Sequence, residues 1–193
     1  MVFEYSLHSS LAVAPQVCAI RRFSYNAAMI DLNTIKALLR YSDWANEQLV
    51  RAAAGLTHDS LDKVFDIGRG TLRRTLLHVL AGELVWLSRW RGEQETPWPN
   101  EDELVAPTMV WERFCELFPH RDRFLSSLRP EDTTRAVVYR DSKGSLFSAT
   151  LGDMMIQMCM HSTHHRAQAV NIFRRLGSVA PELDYMMWVR RLV

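Results

Sequence analysis

The chain has 193 residues, a formal net charge of +1 and a hydrophobic fraction of 48%. This length and composition favour one soluble globular domain with a sizeable core. The near-neutral charge argues against nucleic-acid binding, and no apolar stretch is long enough to span a membrane. The three cysteines, at positions 18, 115 and 159, form no CxxC pair, so we expect a reducing cytoplasmic location and no disulfide framework.

Residues 1–28 are predicted to be an N-terminal extension, and residues 29–193 the folded domain. The apolar stretch 11–20 has no Lys or Arg before it and two arginines after it, which is the reverse of a secretory signal. Met29 directly precedes the first helix-start signal and is a candidate initiator. We expect the extension to contribute little to the core.

The first helical pattern runs from about Asn33 to Ala54. Its apolar and small residues recur at steps of three and four, which marks one face of a helix. Asn33 or Asp31 can cap the start, and Gly55 can end the helix. The segment 55–70 is predicted to be a loop.

A second helix is predicted to begin after Thr71, a suitable N-cap, and to continue to Gly92. It is apolar around most of its circumference, so we expect it to be heavily buried. Residues 93–107 contain three prolines and several acidic residues, which favours a long loop.

The pattern of a third helix covers about 108–128, and Pro119 is expected to kink or break it. Residues 136–150 differ, because two short β-prone runs flank the turn sequence DSKG at 141–144, which predicts a hairpin. The last long helix is predicted from Gly152 or Asp153 to Leu176, followed by a short apolar helix at 182–191. The fold class is therefore all-α, an up-down four-helix bundle with a small β-hairpin before the last long helix.

Two histidines of the last long helix, His161 and His165, carry the clearest chemical signal. Residues four apart lie about 40° apart on a helix, so these two share its apolar face. Two imidazoles in this geometry can ligate one ion, as in helix-borne zinc sites. The spacing is equally consistent with two core histidines satisfied by hydrogen bonds. His164 lies on the polar side and is predicted not to be a ligand.

A third ligand has to come from another helix, and His78 is the best candidate. It lies in the middle of the second helix on an uncharged strip with Thr75, Gly82 and Val85. Isolated helical histidines are often structural, so this pattern alone leaves both roles open. The remaining histidines at positions 8, 58 and 120 are expected on the surface.

Three segments of the sequence resemble the DinB/YfiT-like family of damage-inducible bundle proteins. YSDWANEQLV at 41–50 resembles a Tyr-x-x-Trp-Ala-Asn-x-x-Leu signature, and residues 68–92 resemble a segment with a central His and a Glu-x-x-Trp. HSTHHRAQ at 161–168 resembles His-x-x-His-His-Arg-Gly-Gln, with Ala167 in place of the usual glycine. The three motifs occur in the family's order and spacing, over nearly all of residues 30–190.

This resemblance implies a four-helix fold and a divalent metal ion on His78, His161 and His165. Imidazole ligands suit zinc, nickel or iron. The implied function is a metal-dependent enzyme of the DinB-like type, acting on a small molecule as a transferase that uses a low-molecular-weight thiol. The alternatives are a metal-dependent hydrolase and a non-catalytic, metal-binding stress-response protein. We also expect a homodimer.

Other residues are predicted to support the site. Tyr41, Trp44, Glu83 and Trp86 are candidates for the lining of a pocket beside the ion. We expect Arg166 and Gln168 to brace the last helix against its neighbours, through Glu47 or Glu83. Cys159, near the apolar arc of that helix, is expected to serve packing. No general base can be assigned from the sequence.

Overall fold

The computed structural model describes residues 30–93, 98–100 and 104–191. The helices and strands of these residues are, in chain order, α1 Leu32–Ala54, α2 His58–Asp62, α3 Leu72–Trp90, α4 Pro107–Ser126, β1 Ala136–Arg140, β2 Leu146–Thr150, α5 Leu151–Arg175 and α6 Tyr185–Val189. A short 3-10 helix at Pro130–Thr134 precedes β1. The predictions for residues 1–28, His8 and Met29 fall outside the described residues.

Side-chain caps determine where three of the long helices begin. Asp31, Thr71 and Thr150 each accept a hydrogen bond from the backbone N–H three residues further on, at 2.7, 3.1 and 3.2 Å. These bonds satisfy N–H groups that have no partner within the first turn of a helix. The predicted caps Asp31 and Thr71 are confirmed. The last long helix begins at Leu151, one residue before the predicted start.

The four long helices α1, α3, α4 and α5 form the predicted up-down bundle. Helix α5 packs against α1 and α3, and α4 packs against the same two helices. Their shared core consists of fully buried apolar side chains from every long helix, among them Leu39, Leu80, Trp90, Phe114, Met155 and Phe173. Burial of these large side chains from water is the main stabilising term of the fold. None of the helices in the described ranges is long and apolar enough to cross a membrane.

The predicted hairpin joins the bundle directly at the start of α5. Strands β1 and β2 pair antiparallel, from Ala136 opposite Thr150 to Arg140 opposite Leu146. In the turn, Oδ1 of Asp141 accepts hydrogen bonds from two backbone N–H groups, each at 2.8 Å. Because β2 ends where α5 begins, the hairpin is held at a fixed position on the bundle.

The segment 55–70 contains a short helix, α2, where the sequence predicted only a loop. Thr57 accepts a hydrogen bond from the Ser60 backbone N–H at 3.3 Å and so caps this helix. Its one buried residue, Leu61, packs into the core of the bundle. A helix of five residues is too short to show a sequence periodicity, and this packing is what holds it in place.

Helix α4 continues through Pro119, so of the predicted kink or break the break is wrong. Pro119 is exposed, whereas Phe114, Leu117 and Arg121 on either side of it are buried. A proline removes one backbone hydrogen bond and clashes with the preceding turn. Here the packing of the buried face on both sides of the proline outweighs that local cost.

Candidate metal centre

The imidazole rings of His78, His161 and His165 meet between α3 and α5. Each ring has one nitrogen that can face the other two rings, and these three nitrogens all lie within 4.8 Å of one another. The ring centroids are 4.3 Å apart for His78 and His165, 4.5 Å for His161 and His165, and 5.0 Å for His78 and His161. The structure thus brings together the three histidines selected from the sequence. Their role as metal ligands stays a prediction.

Gly82 determines how closely His161 can approach α3. A Cβ atom at position 82 would lie 2.7 Å from Cε1 and 2.9 Å from Nδ1 of His161. A Cβ essentially never lies this close to a heavy atom to which it is not bonded, so any larger residue would displace the ring. Gly82 also lies four residues after His78, on the same side of α3. The glycine therefore lets the imidazole of α5 lie against the backbone of α3 beside His78.

Gln168 fixes the orientation of His165. Its Oε1 lies 2.8 Å from Nδ1 of His165, and its Nε2 lies 2.9 Å from Nε2 of His164. An amide oxygen only accepts hydrogen bonds, so His165 must carry its proton on Nδ1 and keep the lone pair of Nε2 available. Histidine ligands of metal sites commonly donate their second N–H in this way.

The loop before α3 packs directly on this amide. A Cβ at Gly68 would lie 2.1 Å from Oε1 of Gln168, and Gly68 has a φ of +51°. A side chain at this position would therefore collide with the amide and would also strain the backbone. Gly68 thus allows the loop to hold Gln168 against His165.

The histidines of the triad are electrically neutral at pH 7. Burial, together with the neighbouring imidazoles, lowers the pKa of His78 and of His161 to about 4. Burial also lowers the pKa of His165, although its hydrogen bond to Gln168 opposes that shift. Neutral imidazole is the form that ligates a metal ion.

These residues fit a divalent ion. Nδ1 of His161 is buried and has no hydrogen-bond partner among the described residues. A buried nitrogen without a partner is costly, and a metal ion or another donor would relieve that cost. Three neutral imidazoles also form a common donor set for zinc, nickel or iron. The donor set and the unsatisfied nitrogen of His161 therefore both fit a divalent ion.

A pocket of about 390 Å³ opens beside His78. The described residues that line it come from α3, from the loop before it, from the α3–α4 connection and from the hairpin turn: Arg69, Leu77, His78, Ala81, Trp98, Pro99 and Ser142. The Trp98 ring lies nearly parallel to that of His78, with an angle of 5° and centroids 5.9 Å apart. The contact of Trp98 with His78 could not be predicted from the sequence, because a loop tryptophan has no periodicity that points to its contacts.

The four residues predicted to line the pocket are not among those that do. Tyr41 and Trp44 pack together, and Tyr41 also contacts Tyr185 of α6. Trp86 packs against Tyr139 of the hairpin. Glu83 is buried and forms an ion pair with Arg121 of α4. These four motif residues therefore belong to packing contacts and to a buried polar network, and they are not among the described residues that line this pocket.

That network connects all four long helices. Arg121 donates to Oε2 of Glu83 at 2.9 Å, and Asn46 donates to Oε1 of the same carboxylate at 2.7 Å. Arg166 of α5 donates to Oδ1 of Asn46 at 3.0 Å and to the Ser42 hydroxyl at 2.7 Å. Arg166 thus braces α5 against α1, as predicted, and reaches Glu83 through Asn46. Gln168 differs from its prediction, because its hydrogen bonds go to histidines of its own helix.

Within the described ranges, the other histidines and Cys159 behave as expected from the sequence. His58, His120 and His164 are exposed, and the ring of His164 bonds to Gln168. Cys159 is buried, and burial raises the pKa of its thiol to about 12. A thiol with so high a pKa is a poor nucleophile, which agrees with a packing role.

Comparison with known proteins identifies the family. A model of the DinB family matches residues 29–190, so the chain belongs to the DinB family. A crystal structure of a DinB-like protein from Bacillus cereus is similar, with a TM-score of 0.62 and 18% sequence identity. That likeness covers 79% of this chain and 97% of the other, and at this identity it supports the fold alone. No curated protein matches the chain.

Proposed function

We propose that this protein is a divalent-metal-dependent enzyme that transfers a low-molecular-weight thiol to a small electrophile. The observation that carries the proposal is the convergence of three neutral histidines, one of which, His78, lines an open pocket. A purely structural site would be closed by a fourth side chain, whereas catalytic sites keep a position free. Among the described residues, no fourth His, Cys, Asp or Glu belongs to the cluster.

In this proposal His78, His161 and His165 hold the ion, which is zinc, nickel or iron. When bound, a divalent ion supplies Lewis acidity, which lowers the pKa of a thiol and polarises an electrophile. Gln168 keeps Nε2 of His165 available, and Gly82 leaves room for His161. Trp98 covers one side of His78 and reduces the access of water.

Among the described residues, the carboxylate nearest to the triad in sequence position, Glu83, is already engaged, and this favours thiol transfer over hydrolysis. No Asp or Glu is among the described residues lining the pocket, and Glu83 is already bonded to Arg121 and Asn46. Hydrolysis usually relies on a general base, whereas a thiol activated by a metal needs none. In the transfer, the thiol sulfur bonds to the electrophilic carbon and the leaving group departs with its electron pair. The thiol proton passes to solvent.

The test is a titration of cobalt-loaded protein with 2-mercaptoethanol. We expect a new sulfur-to-metal charge-transfer band that saturates at millimolar thiol. The variant His161→Ala should lose the band, whereas His120→Ala, which changes an exposed histidine, should keep it. If simple anions such as azide perturb the cobalt spectrum while the thiol does not, the thiol-transfer proposal is wrong. That outcome would favour hydrolysis or metal binding without catalysis.

A further inference from the structure

The side chain of Asn46 joins the two helices that carry the histidine triad, although it lies on α1, which carries none of the three histidines. Asn46 is only 1% exposed. Its Nδ2 donates to Oε1 of Glu83 on α3 at 2.7 Å, and its Oδ1 accepts from Nη1 of Arg166 on α5 at 3.0 Å. One buried amide therefore ties α1 to both α3 and α5 at the same point in the bundle.

Both histidines of α5 are followed directly by a residue that is bonded into this network. His165 is followed by Arg166, whose guanidinium donates to the amide. His161 is followed by Ser162, which is buried and whose hydroxyl lies 3.4 Å from Oε1 of Glu83. The backbone on which these two imidazoles are mounted is thus held at two points, one helical turn apart.

The same network reaches the contact between α3 and the triad. Glu83 directly follows Gly82, and the His161 ring lies against the backbone of that glycine. A slide by one residue along a helix moves a side chain by about 1.5 Å and turns it by about 100°. A metal centre requires its ligands to be placed within about 0.5 Å. Hydrogen bonds restrict sliding and rotation because they are directional, whereas apolar contacts are not.

We propose that Asn46 is a positioning residue of the metal centre, because its amide holds α3 and α5 in the register at which the three imidazoles converge. The inference rests on the metal binding in the proposed function and does not depend on the thiol step. Removal of the amide leaves Glu83 and Arg166 each without one buried partner, which costs stability. In addition, the two helices become free to shift relative to each other, and this shift lowers the affinity of the triad for its ion.

The experiment compares Asn46→Ala with Ile35→Ala. Ile35 is equally buried and lies on the same helix, about 16 Å along its axis from Asn46. Its truncation leaves a cavity in the core but keeps both bonds of the amide. Urea unfolding of the metal-free protein measures stability, and competition with a chelator measures the affinity for cobalt. Both variants should unfold at lower urea concentration than the wild type. Only Asn46→Ala should also bind cobalt about tenfold or more weakly, with altered visible cobalt bands.

An exchange of the two interacting groups provides a rescue. Asn46→Asp alone places two carboxylates opposite each other, and Glu83→Gln alone replaces an acceptor of two hydrogen bonds by an amide that cannot accept both. In the double variant, the amide introduced at position 83 donates to the carboxylate introduced at position 46, which still accepts from Arg166. The number of carboxylates is unchanged. Each single variant should therefore lose cobalt affinity, and the double variant should recover most of it.

Wild-type cobalt affinity in Asn46→Ala would overturn the inference, as would an equal loss of affinity in Ile35→Ala. If Asn46→Ala does not fold, the exchange decides, and a folded double variant that binds cobalt no better than Asn46→Asp would overturn the inference. A wild type that binds no cobalt would instead refute the proposed function, and this inference would fail with it. The affinity of the wild type therefore separates the two failures.

Discussion

The backbone of Gly82 lies directly against the imidazole of His161, at a distance that leaves no room for a methyl group. Replacing Gly82 with Ala should push the ring away from His78. The ring can move, and alanine is the better helix former by about 1 kcal/mol, so the metal-free protein should stay folded with similar thermal stability. Metal affinity, measured by competition with a chelator, should fall by about tenfold or more, as it does when the surroundings of a metal ligand are altered.

The control for that variant is Gly55→Ala. A Cβ at Gly55 would meet the nearest carbonyl oxygen at an ordinary 3.6 Å. This variant should keep wild-type metal affinity. Equal affinities for the wild type and Gly82→Ala would show that the close contact with His161 is irrelevant to the site.

Gln168 is predicted to be a positioning residue. Gln168→Ala removes the acceptor that holds His165 in its Nδ1–H form, and metal affinity should fall about 10–100-fold. Gln157→Ala removes an exposed glutamine from the same helix and should have no effect. Proton NMR of the histidine rings provides a second readout, because the protected His165 Nδ1–H signal should disappear in Gln168→Ala. Persistence of that signal would contradict the assigned role.

In the metal-free protein, the contribution of His78 and His161 to stability should decrease in mild acid. The pKa of His78 and of His161 in the folded protein is about 4, below the ordinary value of 6.5. The folded state therefore binds fewer protons than the unfolded state between these values. The contribution of these two histidines to the free energy of unfolding is then largest above pH 6.5 and decreases as pH falls toward 4.

Urea unfolding with a chelator at about pH 7.5 and about pH 4.5 measures this effect across the interval in which the two histidines titrate. His78→Gln should lose less stability between the two pH values than the wild type. His120→Gln, which changes an exposed histidine, should lose as much as the wild type. If His78→Gln and the wild type lose stability in parallel, the neutral buried histidine is not the cause.

The ion pair between Arg121 and Glu83 should be important for stability. Both side chains are almost inaccessible to solvent, so Arg121→Met leaves a buried carboxylate without its cation. We expect a loss of about 3–5 kcal/mol in the free energy of unfolding. The exposed pair between Arg113 and Glu116 provides the control, and Arg113→Met should cost less than about 1 kcal/mol. Equal losses in the free energy of unfolding for the two variants would mean that burial does not determine how much such an ion pair stabilises the fold.

Periodicity and caps were sufficient to predict the long helices. Asp31 and Thr71 cap the helices for which they were selected, and the DSKG turn forms the hairpin. The observed helices differ from the predicted ones in two places. In both, packing against the core outweighs the local signal in the sequence. Pro119 is tolerated because the buried face of α4 continues on both sides of it. Helix α2 is too short for its pattern to be detected.

The clustering of the three histidines could be predicted because each of them carries a local signal. His161 and His165 are one turn apart on an apolar face, and His78 lies on an uncharged strip. The contacts of Glu83 could not be predicted in the same way. Its partner Arg121 is 38 residues away in the sequence, and nothing local pairs them. Trp98 and Arg69 belong to loops, whose positions depend on the packed bundle.

Elemental analysis of protein purified without a histidine tag tests the central claim, that His78, His161 and His165 hold a divalent ion. The variants His165→Gln and His164→Gln form a matched pair, since they change adjacent residues of α5 of which only His165 belongs to the triad. We expect about one zinc, nickel or iron ion per chain in the wild type and in His164→Gln, and most of the metal lost in His165→Gln. Equal metal content in the two variants, or a wild type that binds no divalent ion when it is supplied, would contradict the claim.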